Sequence, residues 1–107
     1  MAGRQPRLTV TTRAERDLDE AWQRIAAQSG PEQADAFVRR IAATAELYAG
    51  RPTAGRPEPA LGAGLRSFLV RPYLAYYLPR SGRIEIIRVL HTRCNREAAW
   101  RDDDSST

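Results

Sequence analysis

The 107-residue chain has no lysine, one cysteine and one histidine, and each shortage closes off a kind of chemistry. A single thiol, Cys94, cannot form an internal disulfide, and with one histidine it cannot build a zinc site of the usual Cys/His spacing. No metal or cofactor is expected. No stretch comes near the roughly 18 consecutive apolar residues that a membrane span needs, so no membrane association is expected either. Met1–Arg7 leads into a short alternating segment instead of the apolar run of a secretory signal, which points to a cytoplasmic protein.

With lysine absent, all 17 basic residues are arginine, set against 13 acids, for a net charge of +4 and a pI of about 10.0. Three of the acids are Asp102, Asp103 and Asp104. Without them ten acids face the same 17 arginines, so residues 1–101 carry +7. Such a body is drawn to polyanions, which include nucleic acid, an acidic protein partner or an acidic patch on a target; a solvated arginine surface has the same composition. At 42% hydrophobic content the length suits one domain over residues 1–101, followed by a polar acidic tail, 102–107, expected to be disordered.

Alternation around Leu8 and Val10 predicts a first strand over Arg7–Thr11. Thr12 then caps a helix, with Glu15 completing a capping box, and Ala14, Leu18, Ala21, Trp22 and Ile25 recur at helical spacing to about Gln28. Ser29-Gly30-Pro31 breaks it, and a second helix follows with Ala34, Phe37, Val38, Ile41, Ala45 and Tyr48 on one stripe. Trp22, Phe37, Ile41 and Tyr48 read as core. From Gly50 to Gly64 the density of Gly and Pro predicts an ordered crossing loop; Gly62-Ala63-Gly64 lacks the strand, helix and further glycines of a phosphate loop.

Three strand-like runs follow, Leu65–Val70, Tyr73–Leu78 and Arg83–His91, parted by Arg71-Pro72 and by Pro79-Arg80-Ser81-Gly82. They read as an antiparallel meander. Simple alternation puts Ile84, Ile86 and Leu90 on one face of the last strand and Ile87 and Val89 on the other, and a strand apolar on both faces is usually central. The order β-α-α-β-β-β makes a small α+β domain, an antiparallel helical hairpin packed on a mainly antiparallel sheet, with the place of strand one open. One hairpin covers one face only. The other needs a cover, supplied in part by Asn95–Trp100 with Trp100 as a plug and in part by a partner, so the isolated chain is expected to be poorly soluble.

Four stretches carry a resemblance: Ala14-Glu15-Arg16-Asp17-Leu18, Gly30-Pro31-Glu32-Gln33-Ala34, the loop Arg51-Pro52-Thr53-Ala54-Gly55-Arg56-Pro57, and Arg83-Ile84-Glu85-Ile86-Ile87-Arg88-Val89-Leu90-His91. In this order the chain resembles the ParE branch of the RelE/ParE toxin superfamily over nearly its whole length. The resemblance implies a RelE/ParE-like fold and a toxin of a type II toxin-antitoxin system, associated with plasmid stabilisation, that inhibits DNA gyrase by binding. It also implies a hetero-oligomer with a ParD-like antitoxin that has a ribbon-helix-helix domain and an acidic tail, operator DNA being reached only through that antitoxin. A basic, partly apolar surface suits such a tail. A silent member kept as an autorepressor with its antitoxin is a third class.

The sister RelE branch cuts mRNA on the ribosome, and its chemistry needs cations on the phosphate and a general acid or base. If this chain were a nuclease, Arg66, His91 and Arg93 would carry the reaction, with Tyr73, Tyr76 or Tyr77 as stacking groups. The resemblance argues against it, because Leu74 in Pro72-Tyr73-Leu74-Ala75-Tyr76 stands where ribosome-dependent members place a catalytic arginine, and the assisting lysines are absent. No catalytic residue is therefore assigned. His91 is either an acid or base or a hydrogen-bonding anchor for the C-terminal segment. Arg66 and Arg88 are contact residues or partners of an acid such as Glu85 or Glu20. The target-binding candidates are Arg93, Asn95, Arg96 and Trp100, and the antitoxin-binding candidates are Arg66, Arg71, Tyr76 and Arg88.

Overall fold

The structure is a computed structural model that describes residues 7–105. Its elements are β1 (Leu8–Val10), α1 (Thr12–Ser29), α2 (Pro31–Gly50), β2 (Arg56–Pro57), β3 (Arg66–Val70), β4 (Tyr73–Arg80), β5 (Arg83–His91) and α3 (Arg96–Ser105). They form one sheet in the order β1-β5-β4-β3-β2. All neighbours are antiparallel except β1, which runs parallel to β5 with Leu8 opposite Ile84. A parallel neighbour needs a crossover, and the α1–α2 hairpin is that crossover.

The cap of α1 is Thr11, one residue before the expected Thr12. Thr11 is extended, and its Oγ1 accepts from the Ala14 N–H at 3.1 Å while its hydroxyl donates to the Ile87 carbonyl at 3.0 Å. One hydroxyl thus caps the helix and tethers it to β5, and no capping box forms, because Ala14 and not Glu15 stands three residues on. At the other end Gly30, with φ +96°, donates to the Ala26 carbonyl and lets Pro31 open α2.

Ala34, Phe37, Ile41, Ala45 and Ala49 bury one stripe of α2 against the sheet. Two helical residues stand away from the expected core. Val38 is exposed at the stripe's edge, and Trp22 is only half-buried, donating through Nε1 to Asp35 Oδ1 at 2.8 Å as a strut between the helices. The indole needs a partner for its N–H, which the core stripe lacks.

The register of β4 on β5 slips: Tyr76 faces Arg88 but Tyr77 faces Ile86, leaving Ile87 as the extra residue of a β-bulge. Alternation is thereby reset, and the expected division of β5 is corrected. Val89 joins Ile84 and Ile86 in the core under the helices, while Leu90 and Ile87 join Tyr76 and Leu65 in a second cluster on the outer face.

The same bulge takes Arg88 off the face of Ile84 and Ile86, and the side chain reaches α1 at the sheet edge. Its Nε and Nη2 donate to Asp17 at 2.8 and 3.3 Å, its Nη1 donates to the Ala99 carbonyl at 2.9 Å, and Asp17 also accepts the Val89 N–H at 3.0 Å. Both side chains are nearly solvent-free, at 2% and 4% exposure. The partner of Arg88 is therefore Asp17, in place of the expected Glu85 or Glu20, because Glu85 is drawn to Arg80 at 2.9 Å.

Within the crossing loop the two-residue β2 pairs with β3, and Tyr77 organises the turn before it. The Tyr77 hydroxyl donates to the Pro52 carbonyl at 2.8 Å and accepts the Gly55 N–H at 2.9 Å. A Cβ at Gly55 would run into that hydroxyl. At the C-terminus Asn95 Oδ1 accepts the Ala98 N–H at 3.1 Å as a helix cap, and α3 extends through Ser105, past the point where the sequence reading expects disorder to begin.

Asp17→Ala strands a buried guanidinium and the Val89 N–H, and is expected to cost about 3–5 kcal/mol in urea unfolding. The joint change Asp17→Leu with Arg88→Met should lose much less; equal losses would show that the stranded charge is not the source. Gly55→Ala is expected to cost about 1–3 kcal/mol by overpacking, and the cost should shrink in a Tyr77→Phe background, as a double-mutant cycle would read directly.

Candidate functional site

The outer face of the sheet is built in rows. Leu69, Leu74 and Leu90 lie side by side across β3, β4 and β5, and the next row is Ser67, Tyr76 and Arg88. Cover is complete over Leu90 and Tyr76 and thins out through Leu74 toward Leu69. Trp100 of α3 packs edge-on against Tyr76, ring centres 5.3 Å apart, while Leu69 is 45% exposed at the sheet's margin.

A polar chain pins α3 in place. Arg96 Nη1 donates to the Tyr76 hydroxyl at 3.3 Å and lies 4.0 Å from Glu58 Oε1, and Glu58 Oε2 accepts from Ser67 Oγ at 2.7 Å. Loop, β3, β4 and α3 thus share one network. Burial raises the Tyr76 pKa, against the smaller lowering effect of Arg96, and the hydrogen bond to Tyr76 raises that of Arg96 in turn.

These contacts sort the candidate residues. Tyr76 and Arg88, expected to meet an antitoxin, are interior groups beneath α3, because each spends its polar atoms on α1 or α3. Arg66 is half-buried and donates to the Gly55 carbonyl at 2.7 Å; Arg71 is exposed, and its carbonyl accepts from Arg40 Nη2 at 2.8 Å. Arg93, Asn95 and Arg96 are exposed in sequence around the turn into α3, with Trp100 half-buried behind them.

The nuclease set is not brought together. Arg66 lies opposite Tyr77 and His91 opposite Tyr73, four residues apart along β4 and hence about 13 Å at strand spacing. His91 and Arg93 do meet: the Arg93 backbone N–H donates to His91 Nδ1 at 3.1 Å, and the His91 ring stands edge-on to Tyr73 at 5.1 Å. His91 thus anchors the turn that leads to α3.

Sequence reasoning missed a cleft of about 600 Å³ between α1, the end of β5 and the start of α3. Arg13, Asp17, Glu20, Arg24 and Gln28 supply its helical wall, and His91 and Arg93 lie across from it. The signal was present as a polar stripe at helical spacing beside the apolar one. Among the described residues no group of three or more His, Cys, Asp or Glu could hold a metal, and no helix is long and apolar enough to cross a membrane.

Compared with known proteins, residues 8–95 match the family described as the ParE toxin of the type II toxin-antitoxin system parDE. The chain belongs to the ParE toxin family. It is 39% identical to Toxin ParE1 of Caulobacter vibrioides over 90 residues, covering 83% of this chain and 92% of that protein. It is 30% identical over 82 residues to Toxin ParE3 of the same organism, covering 77% and 82%. The fold is similar to a solved chain from the chromosomal ParDE system of P. aeruginosa, with a TM-score of 0.66 at 24% identity, covering 78% of this chain and 92% of that one. The α+β architecture expected from the sequence is thus that of a ParE-type toxin of a type II system.

Three tyrosines of this family member, Tyr73, Tyr76 and Tyr77, have pKa values raised above 10.0, in each case chiefly by burial. A phenol whose folded pKa is raised favours the fold in its neutral form. That stability is complete below pH 10 and is lost as pH rises through the folded pKa values. Unfolding midpoints should accordingly hold steady to about pH 10 and fall above it, with tyrosinate absorbance appearing as the fold is lost. Tyrosinate absorbance at the pH of a free phenol, with the fold intact, would contradict the burial.

Proposed function

We propose that this ParE-family chain inhibits DNA gyrase by binding, without catalysis, and is silenced by a ParD-like ribbon-helix-helix antitoxin with an acidic tail. The observation that carries the reading is the row Leu69, Leu74 and Leu90: where a ribosome-dependent relative would need an arginine, this face has apolar side chains. The separation of Arg66 from His91 and Arg93 supports it, since general acid-base chemistry on one phosphate needs its groups within hydrogen-bond reach of the same atoms.

On this reading the exposed Leu69 and half-buried Leu74, with Arg66 and Arg71, receive the antitoxin, and Arg93, Asn95, Arg96 and Trp100 meet the target. Tyr76 and Arg88 act from beneath, by holding α3. The toxin works in the cytoplasm, in a hetero-oligomer with its antitoxin, which alone touches operator DNA. Leu69 and Leu74 give the antitoxin apolar area to bury, and the arginines give its acidic tail charge to meet.

The test is a supercoiling reaction with purified gyrase, relaxed plasmid and ATP, run beside a translation reaction with ribosomes and labelled mRNA. Lost supercoiling or trapped cleaved plasmid with intact mRNA is the expected result, reversed by the antitoxin. Cut mRNA with unaffected gyrase would overturn the reading and return Arg66, His91 and Arg93 to a catalytic role.

A further inference from the structure

The cleft beside β5 has an origin in the sheet. β1 ends at Val10, whereas β5 continues to His91, so the second half of β5 has no strand on that side. Thr11 and Asp17 of the α1 region occupy the edge as far as Val89. Beyond it the space between α1 and the turn after β5 stays open, at about 600 Å³.

Four arginines, Arg13, Arg24, Arg88 and Arg93, line it against two acids. The acids are Asp17 and Glu20, and both oxygens of Asp17 are taken by Arg88 and the Val89 N–H. Arg24 on α1 and Arg93 after β5 approach from opposite walls, both exposed, and neither guanidinium has a hydrogen bond or ion pair among the described residues. Two neutral donors sit in the same lining. His91 accepts at Nδ1, so its remaining proton is on Nε2. Tyr73 brings a phenol to the same lining, its pKa raised chiefly by burial with Arg24 acting in the opposite direction. An open cleft with two fork-shaped cations and neutral donors fits tetrahedral phosphate oxygens.

We propose that this cleft binds the phosphodiester backbone of nucleic acid, with Arg24 and Arg93 on the phosphate oxygens and His91 and Tyr73 as further donors. The cleft is open on its outer side, so a strand can run through it, and the excess of 17 arginines over 13 acids adds a field that favours an extended polyanion over a lone ion. Of the leucine row, Leu90 is shared with the lining while Leu69 and Leu74 lie outside it, and the inference stands whether or not gyrase is the target.

The full chain should be titrated against short labelled single-stranded and duplex DNA over a series of salt concentrations. In Arg24→Gln with Arg93→Gln, affinity is expected to fall about tenfold or more and the logarithmic salt slope to flatten by about two units, one per lost phosphate contact. Arg39→Gln with Arg51→Gln removes equal charge elsewhere and should leave both values near the parent. Arg24→Lys with Arg93→Lys should recover most of the binding, and matched melting curves would show that all variants fold. Equal losses in the two glutamine pairs would overturn the site, as would a parent that does not bind DNA. A polyglutamate peptide that displaces DNA with the same dependence on Arg24 and Arg93 would reassign the cleft to acidic peptides. Full displacement by inorganic phosphate at low concentration would reassign it to small anions.

Discussion

Asp17 and Arg88 are 71 residues apart and almost without solvent, and the three layers of the molecule meet at their contact. A buried ion pair returns its desolvation cost only when every remaining polar atom is also satisfied. Here that condition reaches across the fold. Asp17 accepts from Arg88 and from the Val89 N–H, so α1 closes part of the edge that β1 leaves open, and Arg88 Nη1 finds the Ala99 carbonyl of α3. The bulge at Ile87 belongs to the same arrangement. With regular alternation Arg88 would share the face of Ile84 and Ile86, pointing a charge into the core under the helices; the extra residue gives that place to Val89.

Legibility in the sequence followed the range of the interactions involved. Strand and helix periodicity, the Gly30-Pro31 break and the limits of β5 depend on neighbours within a few residues, and all could be read directly. The parallel pairing of β1, the Ile87 bulge and the partner of Arg88 depend on contacts that cross the chain. Glu85 is nearer to Arg88 in sequence than Asp17, but it stands opposite Leu78 and pairs diagonally with Arg80 across the β4–β5 hairpin. Trp22 misled for a different reason: its spacing matches the apolar stripe, while its N–H needs an acceptor and finds it in Asp35 of the neighbouring helix.

The site was less legible than the fold, and the uniform use of arginine is a large part of the reason. One residue type serves as a buried clamp at Arg88, a loop tie at Arg66, a helix pin at Arg96 and an exposed cation at Arg24 and Arg93. Composition counts these as one charge class. Only burial and partners separate them, and they separate Arg88 and Tyr76 from any contact surface. Leu74 was legible from the resemblance alone, and its setting between Leu69 and Leu90 gives that departure a physical meaning as apolar surface.

Helix α3 is where these interior and surface roles join. Its inner side is held by Trp100 on Tyr76, by Arg96 on the Tyr76 hydroxyl and by Arg88 on the Ala99 carbonyl, while the turn before it carries the exposed Arg93 and Asn95. A partner that grips this turn therefore pulls on groups whose other contacts run to Glu58 in the crossing loop and Asp17 in α1. In a domain of this size, where net stability is a small difference between large terms, fixing α3 from outside reinforces the clamp at the centre. Displacing α3 leaves Arg88 without one acceptor and Tyr76 without its cover. The energetic state of the core and the occupancy of the C-terminal surface are thus linked through Arg88.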